Sequence, residues 1–114
     1  MPPKISQQPM YQLLRDDNIE QFNKEKAEGK VCDLTGCDFR GLDLRNLDVT
    51  GLDLTNAYFR GADLRSLDFR DCKLSGASLA DSKISGCFFP HDITADEILM
   101  SVQHGTRLRQ PSIQ

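Results

Sequence analysis

The sequence has no apolar run close to the about 20 residues that a membrane-spanning helix needs. Its first eight residues are polar and lack the apolar stretch of a signal peptide. With 14 Lys and Arg against 17 Asp and Glu, the net charge of -3 provides no basic patch for nucleic acid or a membrane surface. We therefore expect one small cytoplasmic domain that binds neither a membrane nor nucleic acid directly.

Residues that commonly carry catalysis are also scarce. His91 and His104 are the only two histidines, and they fall in different parts of the chain. The sequence has no Ser-His-Asp order, no glycine-rich phosphate loop and no zinc motif. It therefore predicts no catalytic residue, no metal site and no cofactor, and the protein is not expected to be an enzyme.

What the sequence does have is a repeat of five residues. Twelve units follow one another without a gap from Cys32 to His91. The third residue of every unit is large and apolar, the second is Asp in seven of the first eight, and the fifth is Gly in six. An α-helix has no period of five, so the spacing indicates a different structure.

Each position of the unit has a physical role. The first and third residues alternate with the second and fourth, as on a short strand with one buried face. The fifth residue is a corner, where Gly, Asn or Asp tolerates unusual backbone angles. The units therefore predict a coil with flat sides and sharp corners, although the residues alone do not fix the number of sides.

Units such as Ala62-Asp-Leu-Arg-Ser66 resemble the A(D/N)LXX consensus of the pentapeptide-repeat family. This resemblance implies an all-β repeat solenoid, a right-handed quadrilateral β-helix with four units per coil and about three coils. Third-position residues twenty apart would then stack in ladders. Two of these ladders would contain Phe pairs, Phe39 with Phe59 and Phe69 with Phe89.

The flanking segments are expected to cover the open ends of the coils. We predict a disordered N-terminus at 1–9, a capping helix within 10–31, the repeats at 32–91, a helix at 92–105 and a polar, mobile tail at 106–114. Asp17 with Glu20, and Thr94 with Glu97, are candidate capping boxes. The layout resembles that of small bacterial pentapeptide-repeat proteins.

The C-terminal helix has an apolar stripe made of Ile98, Leu99 and Val102. This stripe has two candidate roles: it caps the last coil, or it pairs with a second copy to form a homodimer. The sequence leaves both roles open.

The four cysteines, Cys32, Cys37, Cys72 and Cys87, all occupy the first position of a unit. A metal site can use such spacings, but an inward position favours small apolar fillers. Without an export signal, we expect free thiols.

The outward residues supply the candidate partner-binding surface. Arg40 and Arg60 fall in one column, Arg45 and Arg65 in the next, and Tyr58 interrupts the polar second positions. The plain alternative is a solvated face of weak ion pairs.

Two functions are compatible with these features. The first is a non-enzymatic interaction or scaffold module with an unidentified protein partner. The alternative, implied by the family resemblance, is a DNA mimic that modulates bacterial DNA gyrase. Nine Asp against seven Arg or Lys in residues 32–91 leave the repeat surface only weakly acidic for that role.

Overall fold

The computed structural model describes residues 2–113, and within them the repeats form stacked coils. Parallel bridges join residues that are twenty positions apart, such as Asp43 with Asp63 and Asp63 with Lys83. Tyr58 is bridged to Asp38 on one side and to Ser78 on the other, so this column has three levels. One coil therefore contains four units of five residues.

The coils pair through single residues rather than through extended strands. Within residues 2–113 every bridge of the repeats is isolated, and three α-helices lie in the flanks. The expected all-β solenoid is thus confirmed only in part. The physical reason is the corner at every fifth residue, which leaves each side long enough for one bridge. The right-handed course of the coils stays a prediction.

Third-position side chains fill the interior, as the repeat predicts. Ten of the twelve are buried, and only Ile84 and Phe89 in the last coil are partly exposed. Phe39 and Phe59 stack with ring centroids 5.2 Å apart, and Phe69 and Phe89 with centroids 5.6 Å apart. Both predicted Phe pairs are therefore confirmed.

The corners have the backbone conformation that their residue types favour. Ten of the twelve fifth positions have positive φ: Gly36, Gly41, Asn46, Gly51, Asn56, Gly61, Ser66, Gly76, Asp81 and Gly86. At Gly76, where φ is 77°, an added Cβ would also collide with the side-chain oxygen of Asn56 in the preceding coil. Glycine is therefore required there for two reasons.

The N-terminal flank contains two short helices in place of the one predicted within 10–31. Helix α1 spans Pro9–Arg15 and helix α2 spans Ile19–Ala27. They are separated by a turn in which Asp17 has φ of 59°. Asn18, not Asp17, caps α2 by accepting a hydrogen bond from the Gln21 N–H at 3.3 Å, so the predicted Asp17–Glu20 box is wrong.

This flank supplies acceptors to the open edge of the first coil. The Asp38 N–H donates to the Lys4 carbonyl at 2.8 Å. Side-chain oxygens of Gln8 and Asn23 accept from the N–H groups of Asp33 and Asp48, respectively. The segment predicted to be disordered is therefore paired with the coil at Lys4, because a sheet edge leaves N–H groups that need partners.

Helix α3 spans Ala95–His104. It begins at Thr94, which accepts a hydrogen bond from the Glu97 N–H at 3.2 Å, and ends at Gly105 in the left-handed conformation. Only half of the predicted capping box forms, because the Glu97 carboxylate binds Arg109 instead of the Thr94 N–H.

The tail after α3 folds back onto the last coil and ends in a 3₁₀ turn at Pro111–Ile113. Leu108 is 2% exposed and exchanges backbone hydrogen bonds with Gly76 and Ala77. Gln110 is also buried and accepts from the Leu74 N–H at 2.7 Å. The prediction of a mobile polar tail therefore differs from the structure, in which the tail caps the coil.

Candidate interaction surface

Most arginines of the repeat are bound to the aspartate two residues earlier. Each guanidinium forks onto both carboxylate oxygens, and the same carboxylate accepts the backbone N–H of the arginine. The four pairs are Asp38–Arg40, Asp43–Arg45, Asp63–Arg65 and Asp68–Arg70, with N–O distances of 2.7–3.0 Å in the fork. Because the fork is planar and bidentate, it fixes the direction of each side chain.

The forks shift the ionisation of the carboxylates. Hydrogen bonds from Arg65 and Arg70 lower the pKa of Asp63 and Asp68 to about 2. Arg45 adds a contact across the coils, with its Nε 3.4 Å from Oδ2 of Asp63. Like charges stacked in one column are therefore offset by arginines in the neighbouring column.

Arg60 departs from this arrangement. Tyr58 stands where the other arginine-containing units have Asp, so Arg60 has no carboxylate two residues earlier. Its ion pair is with Asp81 at 3.6 Å, and both side chains are more than half exposed. The four predicted stripe arginines are thus not equivalent: Arg40, Arg45 and Arg65 are closely neutralised, and Arg60 is not.

Tyr58 is half-buried, and the cover comes from the tail. The Arg107 guanidinium lies 5.1 Å from the centre of the Tyr58 ring and donates a hydrogen bond to the Tyr58 hydroxyl at 2.8 Å. A second guanidinium nitrogen donates to the Gly76 carbonyl, also at 2.8 Å. Sequence reasoning missed Arg107 because it treated the tail as mobile. The signal in the sequence was Tyr58, an aromatic side chain among polar second positions, which needed another segment to pack against it.

Phe88, the other aromatic in a second position, is 56% exposed. The Arg70 guanidinium lies 4.7 Å from its ring centre. Helix α3 therefore leaves this ring accessible to solvent.

The predicted stripe on α3 divides between two environments. Ile98 and Val102 pack against the core, so they contribute to the cap. Leu99 is 50% exposed, next to Met100 at 47%. Two of the three residues thus face the core, and pairing with a second copy stays a prediction that concerns Leu99.

All four cysteines are free thiols, two of them buried and two partly buried. Desolvation raises the pKa of Cys37 to about 11 and that of Cys72 to about 12. The interpretation as inward fillers is confirmed. Within residues 2–113, no three or more His, Cys, Asp or Glu side chains are grouped so as to hold a metal ion.

In the part of the chain that the structure describes, no helix has the length and apolar character to cross a membrane.

Five-residue units stacked into twenty-residue coils by parallel bridges define a tandem-repeat protein. The family model for pentapeptide repeats matches residues 32–71 and 53–89, with eight copies. These ranges together cover 32–89, or 58 of 114 residues, and the chain belongs to the pentapeptide-repeat family. No curated protein and no solved structure matches it.

Proposed function

We propose that this protein is a non-enzymatic protein-interaction module whose contact surface includes Arg40, Arg45, Arg60, Arg65 and Tyr58. The observation that carries the proposal is the fork geometry, which holds outward side chains in fixed columns over a filled interior. A surface that is ordered before binding loses little side-chain entropy on association. Scaffolding in the cytoplasm is the corresponding role, with one unidentified protein partner.

The test is affinity capture from a bacterial lysate, followed by mass spectrometry of the retained proteins. A variant with Arg40, Arg45, Arg60 and Arg65 changed to Gln is expected to lose the partner that the wild type retains. A matched control changes Arg70 and Lys73, on the other two faces of the coils, to Gln. If the stripe variant and the control retain the same proteins, the stripe is not the contact surface.

The alternative of a DNA-mimic modulator of gyrase has weaker support. Mimicry of duplex DNA needs dense unpaired negative charge, whereas Asp38, Asp43, Asp63 and Asp68 are each neutralised by an arginine fork. The described part of the chain measures 35 × 26 × 23 Å, which is short for a rod. A supercoiling assay decides: inhibition of gyrase, or protection from a quinolone, at micromolar protein would favour the alternative.

We further propose that Leu99 and Met100 contact a second copy of the chain. Both lie on α3 beside the last coil, where Ile84 and Phe89 are incompletely buried. Light scattering should show a dimer that the Leu99→Ser and Met100→Ser double variant converts to a monomer. A wild type that is monomeric at every concentration contradicts this pairing.

A further inference from the structure

A groove lies on the face of the coils that carries Tyr58. It consists of two cavities of about 410 and 270 Å³ that share Tyr58 and Arg107 in their walls. Lys4 lines the first cavity, and Arg40 and Arg60 line the second. We call these five residues the basic groove.

The basic groove exists because both ends of the chain extend one column of the repeat. Lys4 forms a parallel bridge with Cys37 beside the first coil. Arg107 forms an antiparallel bridge with Ser78 in the last coil. The two flanks thus place a cation at each end of the column that has Tyr58 at its centre.

The positive charge of the basic groove is only partly neutralised: Arg40 is forked onto Asp38 at 2.9 Å, whereas its other three cations have no carboxylate this close. Among residues 2–113, no carboxylate lines either cavity, and Arg107 forms no ion pair. Lys4 and Arg60 contact Asp33 and Asp81 only at 3.6 Å. On the adjacent face, by contrast, Arg45 and Arg65 are each forked onto a carboxylate at 2.8 Å.

We propose that the basic groove binds an acidic peptide segment of the partner protein, with Arg60 and Arg107 as the main carboxylate contacts. This inference rests on the proposed function and gives the chemistry of its partner. Guanidinium groups match carboxylates in geometry and charge. The Tyr58 ring adds the aromatic surface that is enriched at interfaces.

The surroundings favour a short peptide over nucleic acid. On one side of this face the columns contain Asp33 and Asp53, and on the other Asp43 and Asp63. A phosphate backbone that continued past the groove would meet these carboxylates and be repelled by them. A segment with a few Glu or Asp side chains can end within the groove.

The test uses the full chain and a fluorescein-labelled hexaglutamate peptide, read by fluorescence polarisation at low salt. Arg60→Gln should weaken binding by about fivefold or more, since it removes a direct charge-assisted contact. Arg70→Gln removes the same charge from the same coil on the opposite face, where Arg70 is forked onto Asp68, and it should change binding by less than about twofold. NMR shifts of Tyr58 on titration locate the peptide independently of any variant.

Any one of four results would overturn the inference. Three of them are the absence of binding at millimolar peptide, equal weakening by the two variants, and tighter binding of a labelled ten-residue thymidine oligonucleotide than of the peptide. A hexaglutamine peptide that bound equally well would also reject carboxylate recognition. If the lysate capture still depends on the arginine stripe after such a result, the proposed function stands and only its acidic-peptide chemistry fails.

Discussion

Arg45 in the first coil lies 3.4 Å from the carboxylate of Asp63 in the second coil, which is itself forked by Arg65. Asp43 and Asp63 are bridge partners in one column and would repel if left alone. The arginine that neutralises the first aspartate thus also contacts the second. Because Arg45 contacts aspartates in two coils, it offsets the repulsion between stacked units that carry the same charged residues.

Acid should weaken the fold below about pH 4. The folded pKa of Asp68 is lowered from 3.8 to about 2, so its ionised form stabilises the native state fully above 3.8 and this contribution is lost as pH falls through 2. Carbon-13 NMR should give Asp68 a midpoint near pH 2, which rises in Arg70→Gln. A wild-type midpoint near 3.8 contradicts the fork.

Gly76→Ala should destabilise the protein more than Gly61→Ala. Both corners have positive φ, at 77° and 69°, which costs an alanine about 1–2 kcal/mol. Only the first substitution also collides with Asn56, because an added Cβ at Gly61 has no atom within 4 Å. Urea denaturation of both variants measures the difference, and equal midpoints would show that Asn56 moves aside without cost.

Leu108→Ala should lower the free energy of unfolding by about 2–4 kcal/mol, because it opens a cavity under the folded-back tail. Val31→Ala is the control, and it should cost less than about 0.5 kcal/mol since that side chain is 92% exposed. Thermal unfolding measured by circular dichroism compares them. If Leu108→Ala costs no more than the control, the tail does not cap the coil.

The buried thiols should react slowly with iodoacetamide in the native protein. Thiolate is the reactive form, and desolvation raises the pKa of Cys72 to about 12. Mass spectrometry at pH 8 should show modification of Cys72 only after denaturant is added. Rapid native labelling of Cys72, at the rate of a free thiol in solution, would place it outside the interior.

Much of the repeat could be predicted because each position obeys a local rule. The third residue is apolar wherever it is buried, and Gly or Asn stands at corners of positive φ. Even the neutralisation of the aspartate columns by arginine follows from pairs two residues apart in the sequence, such as Asp63 and Arg65. The candidate surface was less predictable from the sequence. The four arginines occupy the same position of the unit, and they differ in whether a carboxylate two residues earlier neutralises them.

The sequence by itself determined the five-residue unit, the filled interior, the corners and the family. Local spacing and side-chain size are enough to specify these. Only the tertiary structure decided that Lys4 and Arg107 extend the column of Tyr58, and that Leu108 and Gln110 cap the last coil. The reason is that backbone N–H groups at the two open edges must find acceptors. A flank without any repeat pattern does not reveal which of its residues will supply them.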